Sequence, residues 1–302
     1  MPNLRYAIRD ILRECAQRAE HLQIAKGLRF AWAEGIRTLY KFKPLDNGGI
    51  DHVRDMIENS RLYLSTQAQL NDPEDCAPIF QLAGDPHNDP AFMAELKKDE
   101  DQMIRELHIT PEAEAELRKH HGTHVDEMAA TITRNVRDEL RRTLHIFCLT
   151  SELDNRLMWT HYAAGHTGVA LHFDVIPGTL TGLARGIDYV AKLPPVLVPL
   201  RFNANDGDDA ARIMSLIKTS DYSYESEYRI LGNPDVDWGY PMDGQFVSFP
   251  SRLLTGITLG LRISAANRDL ILQWCRERTP PIPVWEAYED PATFEKLYRQ
   301  IG

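Results

Sequence analysis

HIFCLTSELDNRLMWTHYAAGHTGVALHFDV, residues 145–175, reads as strand, helix and strand in close succession. HIFCLTS (145–151) is apolar and ends in polar residues. NRLMWTHYAAG (155–165) carries a short helical pattern closed by Gly165. TGVALHFDV (167–175) returns to a strand and is stopped by Pro177.

Upstream, IRTLYKF (36–42) is a strand bounded by Gly35 and Pro44. IDHVRDMIEN (50–59) reads as a helix, and RLYLST alternates like a strand before the loop QAQLNDPEDC. Residues 90–143 are the most helical part of the chain. They divide near HITPEAEAE, where Thr110 suits an N-cap and Pro111 the first helical position. Residues 4–34 also read as helical, with Leu4, Ile8, Ile11, Leu12, Ala19, Leu22 and Ile24 roughly on one face. Downstream, 187–192 and 196–202 look like strands, 211–220 like a helix, and SYESEYRILG (223–232) like a strand. Strands at 244–250 and 255–263, a helix at 266–278 and an extended tail, IPVWEAYED, complete the chain. Few clean βαβ alternations and many late strands give an α+β fold with a mainly antiparallel sheet. Residues 1–35 form a helical extension, and 36–302 one domain with a helical insertion at about 90–143.

The composition is that of an ordinary globular chain: 302 residues, 43% apolar and 26% charged, which excludes collagenous and wholly disordered classes. The formal charge of −10 disfavours broad, non-specific duplex binding, which needs a basic surface. No apolar run reaches the ~18 residues of a membrane span. The N-terminus lacks the apolar block and cleavage site of a signal peptide, so a cytoplasmic location is expected. Cys15, Cys76, Cys148 and Cys275 lie far apart, with no C-x-x-C pair, and read as four reduced thiols.

Four constellations could carry chemistry. On a strand, Glu225 and Glu227 face one side about 6.5–7 Å apart, with Arg229 beside them. They form either a solvated ladder or a catalytic pair. Trp159 and Tyr162 share a helix face and read either as core or, with His161 and His166, as a wall around a flat ligand. The turn LNDPED (70–75) either caps locally or lines a pocket. In LYKF, Tyr40 and Lys41 take opposite faces; Lys41 is either at a solvated edge or a ligand for an anion. His120, His121 and His124 lack the glutamate of H-E-x-x-H and read as a break between helices. No metal site is expected.

Taken in order, LYKF, RLYLSTQAQLNDPEDC, FCLTSELDNRLMWTHYAAGHTGVALHFD, KTSDYSYESEYRI and LLTGITLG resemble the bacterial family called domain of unknown function 2971. The likeness covers roughly residues 38–262, interrupted at 76–143; the family commonly carries tryptophan where this chain has Tyr222. The same order is similar, more distantly, to the ADP-ribosyltransferase fold. LYKF would be its first motif, LTSELDNRLMWTHY its second and Glu225-x-Glu227 its third. Arg or His is usual in the first motif, where this chain offers Tyr40 and Lys41.

That resemblance implies a split antiparallel sheet and NAD as substrate. Glu227 would stabilise charge on the ribose and Glu225 would activate the nucleophile. Trp159 or Tyr162 would stack on nicotinamide, Lys41 would touch the pyrophosphate, and Asn71 and Asp72 would close the pocket. Tyr40, Ser151 and His161 fall in the same motifs, and Arg229 would keep Glu227 ionised. The implied activity is an NAD-consuming transferase or glycohydrolase, of the kind found among toxins and phage-defence effectors, acting on an unidentified macromolecular or small-molecule acceptor. Two other readings stand beside it: a non-enzymatic nucleotide- or ligand-binding module, and a metal-dependent hydrolase or nuclease built on Asp72, Glu225, Glu227 and His161. The N-terminal helix is a candidate surface for a second copy or a partner protein, and no membrane association is expected.

Overall fold

The computed structural model describes residues 28–302, apart from 47, 73, 77–78, 83, 120, 199–214, 236–237 and 294. The expected N-terminal helix therefore lies almost wholly outside the described residues. Its last part, 28–34, is not helical: Phe30 bridges to Arg185, and Phe30 and Ala31 are fully buried.

In chain order the elements begin with β1 (Thr38–Lys43), α1 (Gly49–Arg54, continuing as a π-turn over Asp55–Asn59), β2 (Arg61–Tyr63) and β3 (Ser65–Thr66). After β4 (Phe80–Leu82) come the helices α2 (Pro90–Glu106), α3 (Pro111–Lys119) and α4 (His121–Thr143). Then follow β5 (His145–Thr150), α5 (Arg156–Tyr162), β6 (Val169–Asp174), β7 (Arg185–Gly186), β8 (Asp188–Val190), β9 (Val196–Val198) and β10 (Ile217–Thr219). A 3-10 turn (Ser220–Glu225) leads into β11 (Glu227–Gly232), and β12 (Met242–Asp243), β13 (Phe246–Ser248) and β14 (Leu254–Leu259) follow. The chain closes with α6 (Ala265–Glu277), β15 (Val284–Glu289) and β16 (Lys296–Gln300).

The fold is α+β, and its main sheet runs β16-β15-β14-β6-β1-β5-β11-β7, with β3 added beside β5. Every pairing in that sheet is antiparallel except β14 with β15. Val53, Met56, Ile271 and Trp274, from α1, its π-turn and α6, pack with Leu39, Leu149, Leu171 and Ile257 on one face. Met158 and Trp159 of α5 pack with Phe42 and Ala170 on the other. Thr110 caps α3 ahead of Pro111 as the sequence indicates, its Oγ1 accepting from Ala113 N–H at 3.4 Å; Asp89 caps α2 in the same way, accepting from Ala91 and Phe92 N–H ahead of Pro90. α4 runs through Gly122, so 121–124 is helix rather than a break; His120 lies outside the described residues.

Three further expectations are corrected. The segment 211–220 is not helical at its end, since Ile217–Thr219 is a strand paired in parallel with β8. The strand expected over 223–232 starts only at Glu227. Lys41 is not at an edge, because β1 lies between β6 and β5 in mid-sheet.

Candidate functional site

β1 and β5 share one register pair, Tyr40 opposite Thr150. Beyond it they part, and β3 takes over the β5 edge at Ile146 and His145. The gap is a cleft of about 250 Å³. Side chains of β1 line one side, and β5, the 65–75 segment, α5 and the Lys218–Glu227 segment line the rest. Lys41 Nζ reaches across and donates to the Cys148 carbonyl at 2.9 Å.

Two devices set the acidic wall. Asn155 caps α5 by accepting from Leu157 and Met158 N–H, and its amide donates to the Tyr224 carbonyl at 2.5 Å. This ties the helix carrying Tyr162 to the turn carrying Glu225. Ser226 then adopts a left-handed conformation (φ 43°), ending the turn and starting β11. Its N–H donates to the Ser223 carbonyl, and its own carbonyl accepts from Ser151 N–H. Glu225 and Glu227 are thus not neighbours on one strand face; a backbone reversal brings both onto Lys218.

Lys218 Nζ lies 2.7 Å from Glu225 Oε2, 3.5 Å from Glu227 Oε2 and 3.3 Å from Asp75 Oδ2. Arg229 grips Glu227 with Nε to Oε1 at 2.6 Å and Nη2 to Oε2 at 2.9 Å. Its Nη2 also donates to Asp75 at 2.6 Å, and its Nη1 to the Ser215 carbonyl at 3.0 Å. Tyr162 Oη donates to Glu225. Glu225, Glu227 and Arg229 are 3%, 5% and 0% exposed, which excludes the solvated ladder.

The two acids are tuned apart. Burial pushes Glu227 up, but the Arg229 charge and hydrogen bonds, with Lys218, outweigh it and hold the carboxyl at about 2. Burial and the Glu227 charge raise Glu225, against the pull of Lys218 and Tyr162. Burial also works against the Lys218 ammonium, but the charges of Glu227, Asp75 and Glu225 raise it above its ordinary range. Burial lowers Lys41, and burial with the Lys41 charge brings Lys43 to about 7.

Of the residues singled out from sequence, Tyr40, Lys41, Asn71, Asp72, His161, Tyr162, Glu225 and Glu227 line the cleft. Ser151, Trp159 and Arg229 do not. Trp159 is fully buried, with its Nε1 donating to the Leu153 carbonyl and its ring between Phe42 and His166. It has no face to offer a ligand. Arg229 is buried behind Glu227 as its counter-ion. Ser151 serves through its backbone.

Sequence reasoning missed Lys218, Asp75 and Lys43. Lys218 was hidden by the helical reading of 211–220, and Asp75 stood within LNDPED but behind Asn71 and Asp72. Lys43 is two residues from Lys41, a strand spacing that could have revealed it. Among the described residues, no group of three or more His, Cys, Asp or Glu side chains is arranged to hold a metal ion, and no helix is long and apolar enough to cross a membrane. Compared with protein-family models, curated proteins and solved structures, the chain matches none.

Proposed function

We propose that the cleft breaks the nicotinamide–ribose bond of NAD, as an ADP-ribosyltransferase-like transferase or glycohydrolase. The observation that carries this reading is the opposed tuning of Glu225 and Glu227 at the wall of one cleft. Two titratable groups pushed apart by their surroundings mark an acid–base division of labour.

When the C1′–N bond breaks, its electron pair leaves with nicotinamide and positive charge builds on the ribose. Glu227, fixed and ionised, suits the stabilisation of that charge. It is too weak a base to take a proton near neutrality. Glu225, with its raised pKa, is the better base. Water or an acceptor hydroxyl attacks C1′, and its proton passes to Glu225. Of Trp159 and Tyr162, Tyr162 is the one that lines the cleft and could stack on nicotinamide, since Trp159 is packed away. The hydrolase or nuclease alternative places a metal among carboxylates whose cation partners are already Lys218 and Arg229.

The test is release of free nicotinamide from NAD by wild type, E225Q and E227Q, each accompanied by its melting temperature. Loss of release in folded E225Q supports the reading. No release by wild type, with no NAD-induced thermal shift, sinks it.

A further inference from the structure

The acidic wall has a basic counterpart across β5. Lys41 and Lys43 lie two apart on β1, so they project from the same face of the sheet, and both line the cleft. Among the described residues, neither lysine forms an ion pair with a carboxylate. Lys41 is held by the Cys148 carbonyl and lies 4.8 Å over the Phe147 ring. Lys43 Nζ meets His52 Nδ1 at 3.5 Å, a long and weak contact. His52 is stacked on Tyr63, with ring centroids 4.7 Å apart, and so stands as a fixed backing to the amine. A partly buried amine without an acidic partner is costly to charge unless an anion joins it.

Resting on the reading of this cleft as a nucleotide site, we propose that Lys43, with Lys41 beside it and His52 behind it, binds a phosphate group of the ligand. A lysine acts there as a point charge. The ligand would span the cleft, its anionic part on β1 and its reacting carbon toward Glu225 and Glu227.

The site has a built-in pH dependence. The groups facing Lys43 are Lys41 on its own strand, Cys148 on β5 and His52 on α1, with Asp51 and Asp55 beyond His52. Lys43 sits at about 7 because burial and the Lys41 charge both oppose its protonation. A bound phosphate favours the charged amine, so affinity falls as pH rises through neutrality.

ADP-ribose is a suitable probe, because its pyrophosphate charge is constant across this range; adenosine is the phosphate-free control. Calorimetric titration at fixed ionic strength, near pH 6 and near pH 8.5, would compare wild type, K43M and K43R. Wild type is expected to bind about tenfold more tightly at the lower pH. K43M should lose about tenfold in affinity near pH 6. K43R keeps its charge, so it should bind at both pH values and with a smaller pH dependence than wild type. Equal affinity of K43M and wild type, or an unchanged pH dependence in K43R, would overturn the assignment. Nicotinamide release by wild type separates this inference from the reading beneath it. If release occurs and K43M binds as wild type does, the phosphate site fails alone. If release is absent but binding follows Lys43 and pH, the site stands without the activity.

Discussion

The Lys218 ammonium, on β10 two residues before the 3-10 turn, and the Glu225 carboxylate, at the end of that turn, stand 2.7 Å apart. The pair spans the turn that presents Glu225 to the cleft, and Lys218, with Tyr162, opposes the rise of the Glu225 pKa.

Replacing that cation should therefore be visible in a pH profile. In K218M the Glu225 pKa rises further, and the acidic limb of kcat/KM for NAD cleavage moves to higher pH. The expected loss is about tenfold near pH 6, shrinking as pH rises. K218R restores the profile. An unchanged limb in folded K218M would remove Glu225 from the role of base.

Glu227 makes the fold acid-sensitive. Its folded pKa, about 2, lies below the ordinary 4.5, so the unfolded chain binds more protons between these values. The stability it contributes is present above about pH 4.5 and is lost as pH falls toward 2. Urea titrations from pH 6 to 3 should show a loss in wild type that is smaller in E227Q. At neutral pH, E227Q should itself cost about 3–5 kcal/mol, because Arg229 is left buried without its main partner.

Trp159 tests core against site. W159A should lose about 3–5 kcal/mol in urea unfolding, the ordinary cost of truncating a large buried aromatic. W159F should keep its packing on Phe42 and leave the affinity for ADP-ribose within about twofold of wild type. A large loss of affinity in stable W159F would return this residue to the ligand.

Ser226 carries the reversal between the acids. S226G should be neutral or slightly stabilising, because glycine adopts φ 43° without steric cost. S226V should lose about 1–2 kcal/mol, since a β-branched residue is strained there. It should also reduce activity more than its melting temperature explains, because the spacing of Glu225 and Glu227 depends on this turn.

His172 adds a second acid window. Burial lowers its pKa from 6.5 to about 4, and its Nε2 hydrogen-bonds Thr258 Oγ1 at 2.8 Å. The unfolded chain binds more protons between these values, so stability should fall as pH drops from about 6.5 to 4. Thermal melts of wild type and H172Q should converge as pH falls through this window.

The sequence by itself determined the element types of 145–175, the helical insertion, the mainly antiparallel sheet, and Glu225 and Glu227 as a pair to examine. These are local signals: apolar periodicity, a Thr-Pro cap, a glycine stop and strand-like alternation. The spacing of Glu225 and Glu227 was visible, but strand geometry was the wrong reason for their convergence, because Ser226 breaks the strand. Only the tertiary structure decided that Trp159 is core, that Arg229 is buried behind Glu227, and that Lys218 and Asp75 complete the acidic wall. It also decided where β1 and β5 part. The physical reason is range. Lys218 meets Asp75 across 143 positions of chain, and Arg229 meets Asp75 across 154. Such pairings arise from sheet order and from competition between burial and charge, and no local pattern of residues encodes either.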